Sequence, residues 1–232
     1  MTNESGRFTE HFNYKKSNSH LIDIPRPYVP AFYRAIKSGI SSNGVFGTKI
    51  LYPQLKDVER GFNEEGLHIG ESGFDILTQR LSNIQIIRLR RKNRVRQAIS
   101  YYRAQHTKKW WKVDDVANEP FLVDYLGLKH IRAIALEFER WERTWDKTLS
   151  RFPALPILDV SYEDLVENGS TEMPRLLSFL QLDAQSVSTT VTSKFKVQSD
   201  EYSEDVYRQY VKFDEGRTDV MLQRASMAAG RD

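Results

Sequence analysis

IQIIRLRRKNRVRQAISYY, running from Ile84 to Tyr102, is the stretch on which the fold is read. Ile84–Leu89 has the short apolar pattern of a buried strand. Arg90–Asn93 is polar, and Val95, Ala98, Ile99 and Tyr102 then recur at helical spacing. Strand, short basic turn and helix make half of a βαβ unit. Outward from it, Phe74–Leu81 reads as a helix, and a longer amphipathic helix is expected over about Lys129–Leu149, marked by Ile131, Ile134, Phe138, Trp141 and Trp145. Pro153 and Pro156 lead into a short strand, Ile157–Val160, and Ser161 with Asp164 has the spacing of a helix N-cap. Helices are expected over about Glu172–Leu180 and Ser203–Val211. Toward the N-terminus, Ala31–Ser38 predicts a short helix stopped by Gly39, and Val45–Tyr52, rich in β-branched and aromatic residues, predicts a strand. Glycines 61, 66, 70 and 73 mark a loop, read equally as a lid or a plain connection. Strands alternating with helices give an α/β class built on a mainly parallel sheet.

The chain of 232 residues is 40% hydrophobic and 28% charged, enough for one sizeable core, and one domain over residues 1–232 is expected. Residues 1–30 read as an irregular segment and 212–232 as a flexible tail. Cysteine is absent, which removes disulfides, zinc ribbons, iron–sulfur sites and a thiol nucleophile together. The five histidines have no ligand-like spacing, so no metal is expected. No apolar run approaches a membrane span and Met1–Arg7 is polar with no signal-like apolar core, so the expected compartment is the cytoplasm.

A net charge of +3 hides a sharp asymmetry. No carboxylate lies between Asp75 and Asp114, an interval holding 11 of the 34 basic residues, which leaves 23 basic against 31 acidic residues elsewhere. One concentrated basic segment points to an anion bound at one place. In an open α/β sheet, ligands sit beyond the carboxyl ends of the strands, where a helix begins. Arg91 at the strand end and Ser100 two turns into the helix are the residue types that hold a phosphate, one by bidentate charge-assisted bonds and one by its hydroxyl. A solvated basic face is the plain reading of the same residues. A nucleic-acid surface is another, because Tyr101, Tyr102, Trp110 and Trp111 interleave with the bases.

The run LRRKNRVRQAISYYRAQHTKKW (Leu89–Trp110) resembles the 3′-phosphate segment of the trehalose 2-sulfotransferase-like family, whose members take a sulfuryl group from 3′-phosphoadenosine 5′-phosphosulfate (PAPS). NGVFGTKILY (Asn43–Tyr52) is similar to the family's Asn-Gly-Val-x-Gly-x-Lys element, and VSYEDL (Val160–Leu165) to the Tyr-Glu-Asp-Leu element common among sulfotransferases. Gln198 followed by Ser203 resembles a late Gln-x-x-x-x-Ser segment, with Lys196 and Val197 standing where a basic residue directly before the Gln is usual. The resemblance runs over roughly Gly6–Tyr210, is thin from Asp114 to Gly127, and rests on four short motifs in family order. It implies a P-loop-NTPase-like sulfotransferase fold with helices flanking a mainly parallel sheet, and transfer of a sulfuryl group to a hydroxyl of a saccharide or glycolipid. It also implies roles. Arg91 and Ser100 hold the donor's 3′-phosphate, Tyr162 lies by the adenine, Gln198 joins the donor site, and Lys49 stabilises charge on the transferred group. Gly6–Phe12 (GRFTEHF) is similar to the stretch carrying the family's base, which falls on Glu10, although Arg7, Phe8 and His11 depart from the pattern.

The family opens with a strand, a Gly- and Ser-rich loop for the 5′-phosphosulfate, and a helix, and this N-terminal βα unit is expected to be missing here. Gly39–Gly44 is no substitute, because it is followed by Val45 and Phe46, not by Lys and Ser or Thr, and leads into a strand rather than a helix. Three explanations stay open: a start placed too late, a remnant that keeps the nucleotide half of the site, or a neighbouring polypeptide that supplies the loop. The alternatives to an active transferase are a non-enzymatic nucleic-acid or anion-binding module built on residues 88–112, and an inert sulfotransferase remnant. The acceptor and any homo-oligomer are not legible.

Overall fold

The computed structural model describes residues 27–41, 44–108, 110, 123–182 and 201–229, with side chains as far as 216. Their order is α1 (Tyr28–Gly39), α2 (Tyr52–Glu64), α3 (Gly73–Arg80), β1 (Ile86–Arg90), α4 (Arg94–Thr107), α5 (Tyr125–Leu149), β2 (Ile157–Ser161), α6 (Tyr162–Glu167), α7 (Gly169–Phe179) and α8 (Glu201–Ala229). The class is a helix-dominated α/β. Among the described residues the sheet is two parallel strands, β1 and β2, with the Ile86 N–H donating to the Pro156 carbonyl at 3.0 Å. The chain divides into two compact units, each assembled from separated stretches.

The first unit holds α1 to α3, α7, most of both strands, and the residues from Trp145 that end α5. Tyr28, Phe32, Val58, Phe62 and Ile76 are its most buried side chains, with the Phe62 ring edge-on to Tyr28 at 5.7 Å and to Phe32 at 5.3 Å. Gly61 sits inside α2 because a Cβ there would lie 2.4 Å from the Tyr28 ring. Gly73 opens α3 where a Cβ would lie 1.9 Å from the Leu55 carbonyl oxygen. Both are therefore packing glycines. Gly66 and Gly70, at φ +74° and +82°, are turn glycines of the ordinary kind. The expected loop thus shrinks to the residues between α2 and α3.

The expected strand Val45–Tyr52 is also corrected. Only Thr48 makes a bridge there, and Tyr52 opens α2. Pro53 falls in the first turn, where its missing N–H costs nothing, and Gln54 reaches back to accept the Leu51 N–H at 2.6 Å. Among the described residues the sheet does not include 45–52, and Ile50 and Tyr52 pack against the first core. At the other end of this unit, Ser72 and Asp75 cap α3 reciprocally.

The second unit holds α4, the first part of α5, Ser161–Glu163 and α8. Ala98, Ile99 and Tyr102 of α4, Leu128, Ile131, Ile134 and Ala135 of α5, and Val206 and Tyr210 of α8 form its core. Asn93 caps α4 by accepting the Arg96 N–H at 3.0 Å, and Asp124 starts α5 by accepting that of Gly127 at 2.8 Å. Helix α1 begins at Tyr28, inside the segment expected to be irregular, and α8 continues to Ala229, through most of the expected tail.

Candidate functional site

The basic turn, from Arg90 onward, lies in the second unit. β1 ends at Arg90, residues 91–93 form the turn, and α4 starts at Arg94. The neighbouring cations are already matched. Arg90 and Arg94 both pair with Glu142 of α5. Arg96 forms a two-pronged pair with Glu204 of α8, one prong 2.8 Å long, and lies over the Tyr207 ring at 4.3 Å. Arg103, 7% exposed, donates to the Ser203 hydroxyl at 3.1 Å. In the first unit Arg88 is held by Asp146 and Asp159, whose hydrogen bonds and charge raise its pKa against the effect of burial.

Arg91 differs from all of these. Its guanidinium carbon lies over the Tyr162 ring, 3.5 Å from the centroid, and the side chain makes no ion pair or hydrogen bond among the described residues. Stacking holds the group without using its N–H donors, so the five N–H bonds of the fork stay available to an anion. The residue after Tyr162 secures the turn itself. A Glu163 side-chain oxygen accepts the Lys92 N–H at 3.0 Å, and the N–H groups of Asn93 and of Glu163 itself add to it. Burial pushes the Glu163 carboxyl upward, but these N–H bonds and the charge of Arg91 outweigh it and leave the pKa below the ordinary carboxylate value.

Of the residues singled out from sequence, the structure brings Arg91 and Tyr162 into contact. Ser100 is half-buried in α4, about 9 Å along the axis from the first residue of that helix, and its hydroxyl makes no hydrogen bond among the described residues. Lys49 belongs to the first unit, exposed on the irregular stretch before α2. Glu10 and Gln198 lie outside the described residues. Tyr102 is a core residue, and Tyr101 packs edge-on against Phe138 at 5.4 Å and Trp110 at 5.5 Å, so these rings are occupied by packing. Trp111 lies outside the described residues.

Sequence reasoning missed Glu163, Glu142 and Glu204. Glu163 sits in a motif that was singled out, but it reads there as an acid at a helix start. The two others meet their arginines across 52 and 108 residues, a separation that carries no local signal. Among the described residues, no cluster of three or more His, Asp or Glu could hold a metal ion, and no helix is long and apolar enough to cross a membrane.

A strand, a basic turn and a helix follow one another here, with the Arg91 guanidinium just past the strand end, and comparison with known families gives the class as sulfotransferase. The family model described as Stf0 sulphotransferase matches residues 14–212, most of the chain, and the protein belongs to that family, the trehalose 2-sulfotransferase family. No curated protein matches the chain.

Proposed function

We propose that this chain is a sulfotransferase-like domain that binds PAPS and moves its sulfuryl group onto a hydroxyl of a saccharide or glycolipid. The donor supplies a sulfur whose bond to the 5′-phosphate oxygen breaks as the acceptor oxygen bonds to it, leaving adenosine 3′,5′-bisphosphate. Arg91 and Ser100 hold the 3′-phosphate. The near face of Tyr162 carries Arg91, which leaves its far face and edge for the adenine, and Gln198 joins this nucleotide end. Glu10 takes the acceptor's proton, and Lys49 balances the negative charge that builds on the transferred group. This allocation follows the P-loop-NTPase-like sulfotransferase fold implied by the family.

The observation that carries the reading is Arg91. Its guanidinium is oriented and has donors to spare, whereas Arg90 and Arg94 share the carboxylate of Glu142 and Arg96 is paired with Glu204. The same contrast argues against a polyanion surface at the turn itself, where Arg90, Arg94 and Arg96 are each held by a carboxylate. A second reading, nucleotide binding without transfer, is favoured by one feature: the two proposed site residues that meet, Arg91 and Tyr162, both belong to the nucleotide end.

Titration calorimetry with adenosine 3′,5′-bisphosphate tests the binding. Arg91→Ala is expected to weaken it about 10- to 150-fold, the worth of hydrogen bonds from a charged group, with the thermal melt unchanged. Unchanged affinity overturns the assignment. Incubation with labelled donor and trehalose separates the two readings: labelled sugar supports transfer, and tight bisphosphate binding without product supports the second.

A further inference from the structure

Tyr162 and Glu163 are consecutive, yet they grip the β1–α4 turn in two different ways. The ring supports the Arg91 guanidinium from below, and the carboxylate accepts the backbone N–H of Lys92, the next residue along. Glu163 approaches close enough for its charge to act on Arg91, yet the two form no ion pair within 4 Å. A carboxylate in direct contact would take up part of the fork and cancel its charge; one fastened to the backbone beside it leaves the donors open. Lys92 and Asn93, whose N–H groups it engages, are the two residues between Arg91 and the first residue of α4. Fixing them fixes the point from which the Arg91 side chain departs.

We propose that Glu163 is a positioning residue for the donor's 3′-phosphate: by tying the residue 91–93 turn through the Lys92 amide, it holds Arg91 over Tyr162 with its N–H donors open to the ligand. This deepens the donor-site reading given above and rests on it. The carboxylate itself touches no ligand. Its effect on binding passes entirely through the guanidinium, so it acts on the 3′-phosphate and not on the rest of the nucleotide.

That confinement supplies a readout which a merely structural role does not move. Adenosine 3′,5′-bisphosphate and adenosine 5′-monophosphate differ by the 3′-phosphate alone, so the ratio of their dissociation constants reports the grip of Arg91. The full chain and the variants Glu163→Ala, Glu163→Gln and Arg91→Ala are titrated with both nucleotides, and each is melted thermally. Arg91→Ala is expected to abolish the preference for the bisphosphate. Glu163→Ala is expected to reduce it about tenfold while monophosphate affinity stays within about twofold, the size of one charge-assisted hydrogen bond lost indirectly. Glu163→Gln keeps an oxygen for the Lys92 amide and is expected to restore part of the ratio. A ratio in both Glu163 variants equal to or above that of the unaltered chain overturns the positioning role and leaves the Arg91 assignment standing. Should Glu163→Ala fail to fold, the same outcome in Glu163→Gln alone overturns it. No preference in the unaltered chain overturns the donor-site reading, and the positioning role falls with it.

Discussion

Replacing Tyr162 by leucine removes the surface on which Arg91 lies while keeping an apolar side chain at the start of α6. The guanidinium carbon is 3.5 Å from the ring centroid, well inside the range over which a cation is drawn to an aromatic face. Arg91 is half-buried, so the interaction falls between the exposed and desolvated cases, worth about 0.5–2 kcal/mol, or about 2- to 30-fold in a binding constant. That loss should appear in the affinity for adenosine 3′,5′-bisphosphate relative to adenosine 5′-monophosphate, because the support acts through the arginine. Tyr162→Phe keeps the ring and is expected to keep the ratio, whereas Tyr162→Leu should lower it. Calorimetric titration of both variants with both nucleotides is the assay. If Tyr162→Leu weakens the two nucleotides by one common factor, Tyr162 serves the adenine alone and the platform reasoning is wrong.

Two further outcomes concern the first unit. Gly61→Ala gains about 1 kcal/mol of helix propensity but drives a methyl group to within 2.4 Å of the Tyr28 ring, an overpacking that costs about 1–3 kcal/mol; urea titration should show net destabilisation, and a more stable variant would contradict the packing role. Asp57 is buried at 7% exposure; burial pushes its carboxyl upward and the nearby Arg60 offsets this only in part. The folded chain therefore holds this proton more tightly than the unfolded chain, and stability falls as pH rises through the two pKa values. Asp57→Asn should melt above the unaltered chain at pH 7, with the gap closing as pH falls below the ordinary carboxylate range. A lower melting temperature at pH 7 would show that the charge is compensated.

The strand–turn–helix at Ile84–Tyr102 was legible because its signals are local: an apolar run, a polar break, and a change of period within nineteen residues. Helix α5 was legible for the same reason. Helix α2 was not, because Gly61 reads as a loop residue until the Tyr28 ring that forbids a side chain there is seen. The length of α8 was understated, since its residues beyond Val211 carry little apolar periodicity. At the site, residue type and spacing were enough to single out Arg91 and Ser100. What sets Arg91 apart from Arg90, Arg94 and Arg96 is where the carboxylates of α5 and α8 fall, and no window of sequence contains both partners. Glu163 stood in a quoted motif, yet its bond to the Lys92 amide spans 71 residues and belongs to the folded chain alone.

A double-mutant cycle in adenosine 3′,5′-bisphosphate binding tests most directly whether Arg91 and Ser100 serve one phosphate. Calorimetry on the unaltered chain, Arg91→Ala, Ser100→Ala and the double variant gives the coupling between them. Two groups on the same phosphate should couple by about 0.5–3 kcal/mol, so that the double variant loses less than the two single losses combined. Losses that add without coupling, or no loss in either single variant, would contradict the account.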